Sequence, residues 1–179
     1  MTPATNKEAE KLWIKALEKE PENHRFMVTL GWVNWQKIVL RMSENPKENI
    51  QKGLQLAKQS LSIRPDFASA LSLAVSLEMM TGNHEDACKK IDKIFKNAET
   101  MFETALGAAG AHNCGDLELA ISNYEYVFNT APHFSSWARN LYSYALVENG
   151  DFDKALNFFE VELQKEHAFG GFSQTMYLL

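Results

Sequence analysis

One template recurs five times along this chain and limits the folds open to it. A residue, usually small, is followed at steps of four, three, one and four by further landmarks, most of them apolar. The steps run Ala87, Ile91, Ile94, Phe95, Glu99 and also Ala9, Trp13, Ala16, Leu17, Pro21. They fit Gly53, Ala57, Ser60, Leu61, Pro65, then Ala120, Tyr124, Val127, Phe128, Pro132, and last Ala155, Phe159, Glu162, Leu163, His167. The intervals between opening residues are 53−9 = 44, 87−53 = 34, 120−87 = 33 and 155−120 = 35. Apolar residues three and four apart share one face of a helix, so each copy predicts an amphipathic helix.

A turn repeats with the template. Gly82-Asn83, Gly115-Asp116 and Gly150-Asp151 each stand five residues before the opening residue. A second apolar segment precedes each turn, as in Ala70, Leu71, Ala74, Val75 and Leu77. Glycine can adopt the left-handed conformation that ends a helix. The unit is therefore two antiparallel helices joined by a tight turn. Neither helix can bury its apolar face alone, so successive units must stack.

A helix-turn-helix stride near 34 residues, with small residues, one large apolar residue and a helix-ending proline, resembles the tetratricopeptide repeat (TPR) family. The resemblance covers nearly the whole chain. The family's first-helix tryptophan is replaced here by Met27, Leu71 or Ala138, and its first-helix glycine survives as Gly31. The terminal proline is lost at Glu99 and His167. The resemblance implies an all-α, right-handed superhelix forming a single domain over residues 1–179, with about four helix pairs plus a leading and a trailing helix. Helices are expected at about 6–19, 24–42, 46–63, 68–81, 84–97, 101–113, 117–130, 135–148, 152–166 and 171–179. Thr5 with Glu8 reads as a capping box opening the first. Asn45-Pro46-Lys47-Glu48 is a second start signal, with asparagine as cap and proline at the first helical position. The extra ten residues of the first interval then lengthen one hairpin.

The array opens on a second-type helix without its partner. The tail from Phe172 begins a further helix without a polar outer face. Both features suggest a chain cut from a longer protein or a face covered by something else. The stretch SLSIRPDFASALSLAVSLEMMTGNHEDACKKI also resembles the repeat region attached to bacterial class III adenylate and guanylate cyclases and related transcriptional regulators. That likeness implies a sensing or docking appendage in signalling, without catalytic activity.

Net charge is −5 over 179 residues, which gives no general reason to expect nucleic acid as partner. There is no apolar run of about 18 residues to span a membrane, and the start has no secretory pattern. Two cysteines are too few for a disulfide framework and suit a reducing, cytoplasmic setting.

In TPR proteins the first helix of each pair faces a groove that binds extended or helical peptides. Carried over residue by residue, that wall comprises Val28, Trp32 and Trp35, then Ser69, Ser72, Ser76, Met79 and Met80. Phe102, Ala105, Ala109 and His112 continue it, followed by Ser136, Arg139, Asn140 and Ser143. Only Arg139 and Asn140 resemble the clamp that family members use for acidic chaperone tails. The rest is aromatic, sulfur-bearing and small, which suits an apolar peptide or helix face from a protein partner. The run Ala105-Leu106-Gly107-Ala108-Ala109-Gly110-Ala111 permits close helix approach.

Chemistry is harder to find. His84 and Cys88 lie four apart, and His112 and Cys114 end the next helix, so two His and two Cys offer ligands of the kind zinc accepts. Yet H-x3-C and H-x-C are weak spacings, and Cys88 falls on the packing stripe. The expectation is thiols without metal and no cofactor. Gly107 and Gly110 lie in a helical pattern rather than a phosphate loop, and no serine has a nucleophile-elbow context. The chain reads as a non-enzymatic interaction module, with homo-oligomerisation through its bare ends as the alternative.

Overall fold

The structure, a computed structural model, describes residues 3–164. Every element among them is helical: α1 (Pro3–Lys19), α2 (His24–Val39), α3 (Pro46–Ile63), α4 (Ala68–Met80), α5 (His84–Cys88), α6 (Ile91–Asn97), α7 (Met101–Asn113), α8 (Leu117–Thr130), α9 (Ser136–Asn149) and α10 (Phe152–Gln164). None of the described helices is long and apolar enough to cross a membrane. The chain divides into two compact units, one ending at Glu99 and one beginning at Thr100.

In the first unit α2 packs on α1, α3 and α4, and α4 packs on α3, α5 and α6. The core gathers Val28, Ala57, Phe67, Ala70, Leu73, Ala74 and Leu77. Leu73 and Leu77 are fully buried. Each such leucine contributes about 2 kcal/mol of apolar burial. Helix ends follow local chemistry. The Asn23 side chain accepts from the N–H groups of Arg25 and Phe26 at 3.1 and 3.2 Å. Asn45 accepts from the Glu48 N–H at 3.3 Å, with Pro46 opening α3.

In the second unit α7 packs on α8 and α9, and α9 on α8 and α10. Ala105, Ala108 and Ala111 have no exposed surface, and Gly107 and Gly110 are buried with them. The small-residue run is thus a close-packed face. Around α9 the core is aromatic. Tyr142 meets Phe158 edge-on at 4.9 Å and Phe128 at 5.5 Å. The glycines ending α4, α7 and α9 have φ of 82°, 81° and 85°, the left-handed geometry the turn requires.

Several expected boundaries change. Thr5 lies inside α1 rather than at its cap, because Pro3 already takes a first-turn position where its missing N–H costs nothing. The helix expected over 24–42 stops at Val39; the chain then turns through Arg41 at φ 55°. The helix expected over 84–97 is two segments, parted at Lys89–Lys90. There the Lys90 N–H donates to the Ala87 carbonyl three residues back, a tighter winding than the α-helix. The helix expected over 171–179 lies outside the described residues.

Candidate functional site

In the first unit α2 and α4 carry the sequence-predicted wall. Val28 is a core residue, 3% exposed. Trp32 and Trp35 stand edge-to-face at 5.4 Å and 82°, both half-buried against the core cluster. The Trp32 Nε1–H is buried without a hydrogen-bond partner. Ser72 is buried, its hydroxyl donating to the Ala68 carbonyl at 2.9 Å, so it serves its own helix. Ser69 and Ser76 are half-buried. Met79 has its sulfur 3.1 Å from His84 Nδ1, and Met80 is exposed.

One edge of this unit is strongly charged. Phe67, itself buried, has the guanidinium groups of Arg25 and Arg64 at 5.4 and 5.3 Å from its ring centre. Arg64 pairs with Glu99, and Arg25 stands 3.7 Å from the same carboxylate. His24 meets Phe67 edge-on at 4.9 Å, its Nε2 buried without a partner. Burial pushes the His24 imidazole below its ordinary range, and Arg25 and Arg64 push it further, against Glu99.

In the second unit the wall residues part company. Ala105 is fully buried and Ala109 half-buried. Ser143 is buried, donating to the Asn140 carbonyl at 2.7 Å. Ser136 is half-buried. Arg139, 7% exposed, donates to the Phe134 carbonyl at 3.2 Å and to that of Pro132, with its guanidinium 4.8 Å over Phe128. It is a structural clip for the turn before α9. Asn140 keeps a buried Oδ1 without a partner. His112 Nε2 lies 2.9 Å from Glu148 Oε2. Phe102 is 47% exposed.

Two residues absent from the predicted wall join Phe102. Trp137 lies edge-on to it at 6.0 Å, and Phe134 lies 6.1 Å from Trp137. Phe102 and Trp137 are each the second residue of their helix and stand one stride apart. That stride was the available signal: 102 plus the 35-residue interval from Ala120 to Ala155 gives 137.

The metal alternative finds no support in the geometry. Among the described residues no group of three or more His, Cys, Asp or Glu side chains is placed to hold a metal ion. The free-thiol expectation is corrected, because Cys88 and Cys114 are both disulfide-bonded. The cysteine argument for a reducing compartment falls with it.

No family model and no curated protein matches the chain. Solved structures do. A thermophilic TPR protein of Thermus thermophilus, TTC0263, is 16% identical with a TM-score of 0.62, over 80% of this chain and 74% of its own. MamA is 19% identical with a TM-score of 0.56, over 88% and 86%. YrrB, described as a TPR protein with an unusual peptide-binding site, is 17% identical with a TM-score of 0.57, over 95% and 84%. The chain has the all-α, tetratricopeptide-repeat fold.

Proposed function

We propose that this chain is a non-enzymatic module that binds a peptide or helix of another protein along its first-helix faces. The observation that carries the reading is the pairing of Phe102 and Trp137 at equivalent positions of α7 and α9, with Phe102 47% exposed. An exposed aromatic side chain beside a half-buried one at the same repeat position suits a docked segment. In the first unit Met80 is exposed, with Trp32, Trp35 and Met79 half-buried on the same two helices. We read residues 1–179 as one repeat domain, because the 33-residue step from Ala87 to Ala120 continues past Glu99. The likeness of residues 60–91 to cyclase-attached repeats supports a docking role within a larger signalling or regulatory protein, such as a nucleotide cyclase.

The test is selection of a displayed peptide library on the immobilised chain, followed by calorimetry with the enriched peptide. Phe102→Asp is expected to weaken that peptide at least about tenfold, and Met80→Asp to weaken a peptide seated on the first unit. An enriched peptide indifferent to both substitutions, or no enrichment, overturns the reading.

Self-association is the second reading. Leu12 and Ile14 of α1 are 56% and 44% exposed. A sedimentation coefficient independent of concentration would remove it.

A further inference from the structure

The net charge of −5 is unevenly distributed between the two units. Residues 1–99 carry 15 Lys and Arg against 13 Asp and Glu, a net of +2. Residues 100–179 carry three against ten, a net of −7. Two of those three cations are engaged within the fold. Arg139 is buried on the Pro132 and Phe134 carbonyls. Lys154 is paired with Glu125.

The aromatic residues of α7 and α9 therefore sit in a unit of strongly negative charge. On α9, Glu148 follows Trp137 by eleven residues. Eleven steps of 100° return to within about 20° of the starting direction, so both lie on one helix face, separated by about 16 Å along the axis. The Glu148 side chain is 59% exposed, with His112 against it at 2.9 Å. Aromatic faces attract cations as well as apolar groups.

We propose that the α7/α9 face of the second unit takes a basic segment of a partner protein, a proposal that rests on the interaction-module reading above. One Lys or Arg of the segment lies against Trp137 and Phe102, and a second reaches Glu148. A separation of about 16 Å corresponds to about five residues of extended chain. Two basic residues spaced by about five are therefore the preferred ligand. The net charge of −7 draws such a segment in and repels acidic ones.

The experiment uses the full chain and three fluorescein-labelled peptides of one Gly/Ala/Ser background. The first carries two arginines about five apart, the second two glutamates and the third two leucines at those places. The arginine peptide is expected to bind at least about tenfold more tightly than the glutamate peptide at low salt, and to weaken as salt rises. Trp137→Leu should weaken the arginine peptide about five- to thirtyfold, while Trp137→Phe keeps most of the affinity. Glu148→Gln should weaken binding and flatten its salt dependence. Should Trp137→Leu lower the melting temperature, Phe102→Leu takes its place with the same expectation. A leucine peptide that binds as tightly as the arginine one, and depends on Trp137, overturns the basic-segment proposal but upholds the module. Failure of all three peptides also overturns it, and the library selection then decides the module reading separately.

Discussion

Leu73 fills the space that Gly31 leaves empty: a Cβ built on Gly31 would lie 2.3 Å from Leu73 Cδ2. A Cβ on Gly53 would likewise meet Leu77 Cδ1 at 2.6 Å, and would lie 3.6 Å from the Gly31 carbonyl oxygen. Both leucines are fully buried, so neither can swing aside freely. Gly31→Ala is expected to destabilise the chain by about 1–3 kcal/mol through overpacking, although alanine favours the helix by about 1 kcal/mol. Pairing it with Leu73→Val should recover part of the loss. Chemical denaturation of the single and double variants checks this; a Gly31→Ala protein as stable as the parent contradicts it.

Stability should fall on mild acidification through His24. Its folded pKa is held below the ordinary 6.5, first by burial and then by Arg25 and Arg64, with Glu99 opposing. The folded state thus binds fewer protons than the unfolded chain. The contribution of neutral His24 is complete above about pH 6.5 and is lost as pH falls towards the lowered folded value. His24→Phe keeps an aromatic ring against Phe67 and removes the titration. Melting curves between about pH 7 and 5 should slope less for this variant. Equal slopes would exclude His24 as the source.

Two tyrosines of one cluster should respond differently to loss of the hydroxyl. The Tyr124 hydroxyl is buried with no hydrogen-bond partner, and burial pushes its pKa far up. That of Tyr142 donates to Glu125 at 3.0 Å. Tyr124→Phe should be neutral or stabilising by up to about 1 kcal/mol, whereas Tyr142→Phe should cost about 1 kcal/mol. The order of the two melting temperatures is the measurement. The reverse order would mean the Tyr124 hydroxyl has a partner.

Gly150 closes α9 at φ 85°. An L residue there costs roughly 1–2 kcal/mol, asparagine least among them. Gly150→Ala should therefore destabilise by about 1 kcal/mol and Gly150→Asn by less. No Cβ contact would form within 4 Å, so backbone strain alone carries the effect. Equal stability of the two variants would be inconsistent with that origin.

Helix positions were legible because they rest on spacing. The landmarks Ala87, Ile91 and Ile94 are all buried, as are Ala120, Tyr124 and Val127, and Ala155 and Phe159. The break at Lys89–Lys90 was not legible, because the apolar stripe runs through it without interruption. On the proposed docking face the difficulty was one of frame. In the fourth pair the sequence pointed to Arg139 and Ser143, which the structure buries, and away from Trp137, which stands beside Phe102. Polarity drew attention to Arg139, but its guanidinium satisfies carbonyls of the preceding turn. The net charge of −5 averages a near-neutral first unit with an acidic second one.

The tightened winding at Lys89–Lys90 has a mechanical consequence. A turn of three residues rotates each step by about 120° rather than about 100°, so α6 is re-aimed relative to α5. Ala87, Ile91 and Ile94 all stay inward across the interruption. It also leaves α5 only five residues long, too short to hold a helical shape unaided. Backbone amides of 84–88 should then trade hydrogen for deuterium sooner than those of α4, with the Cys88 disulfide and the Lys90–Glu78 pair at 2.6 Å limiting the opening.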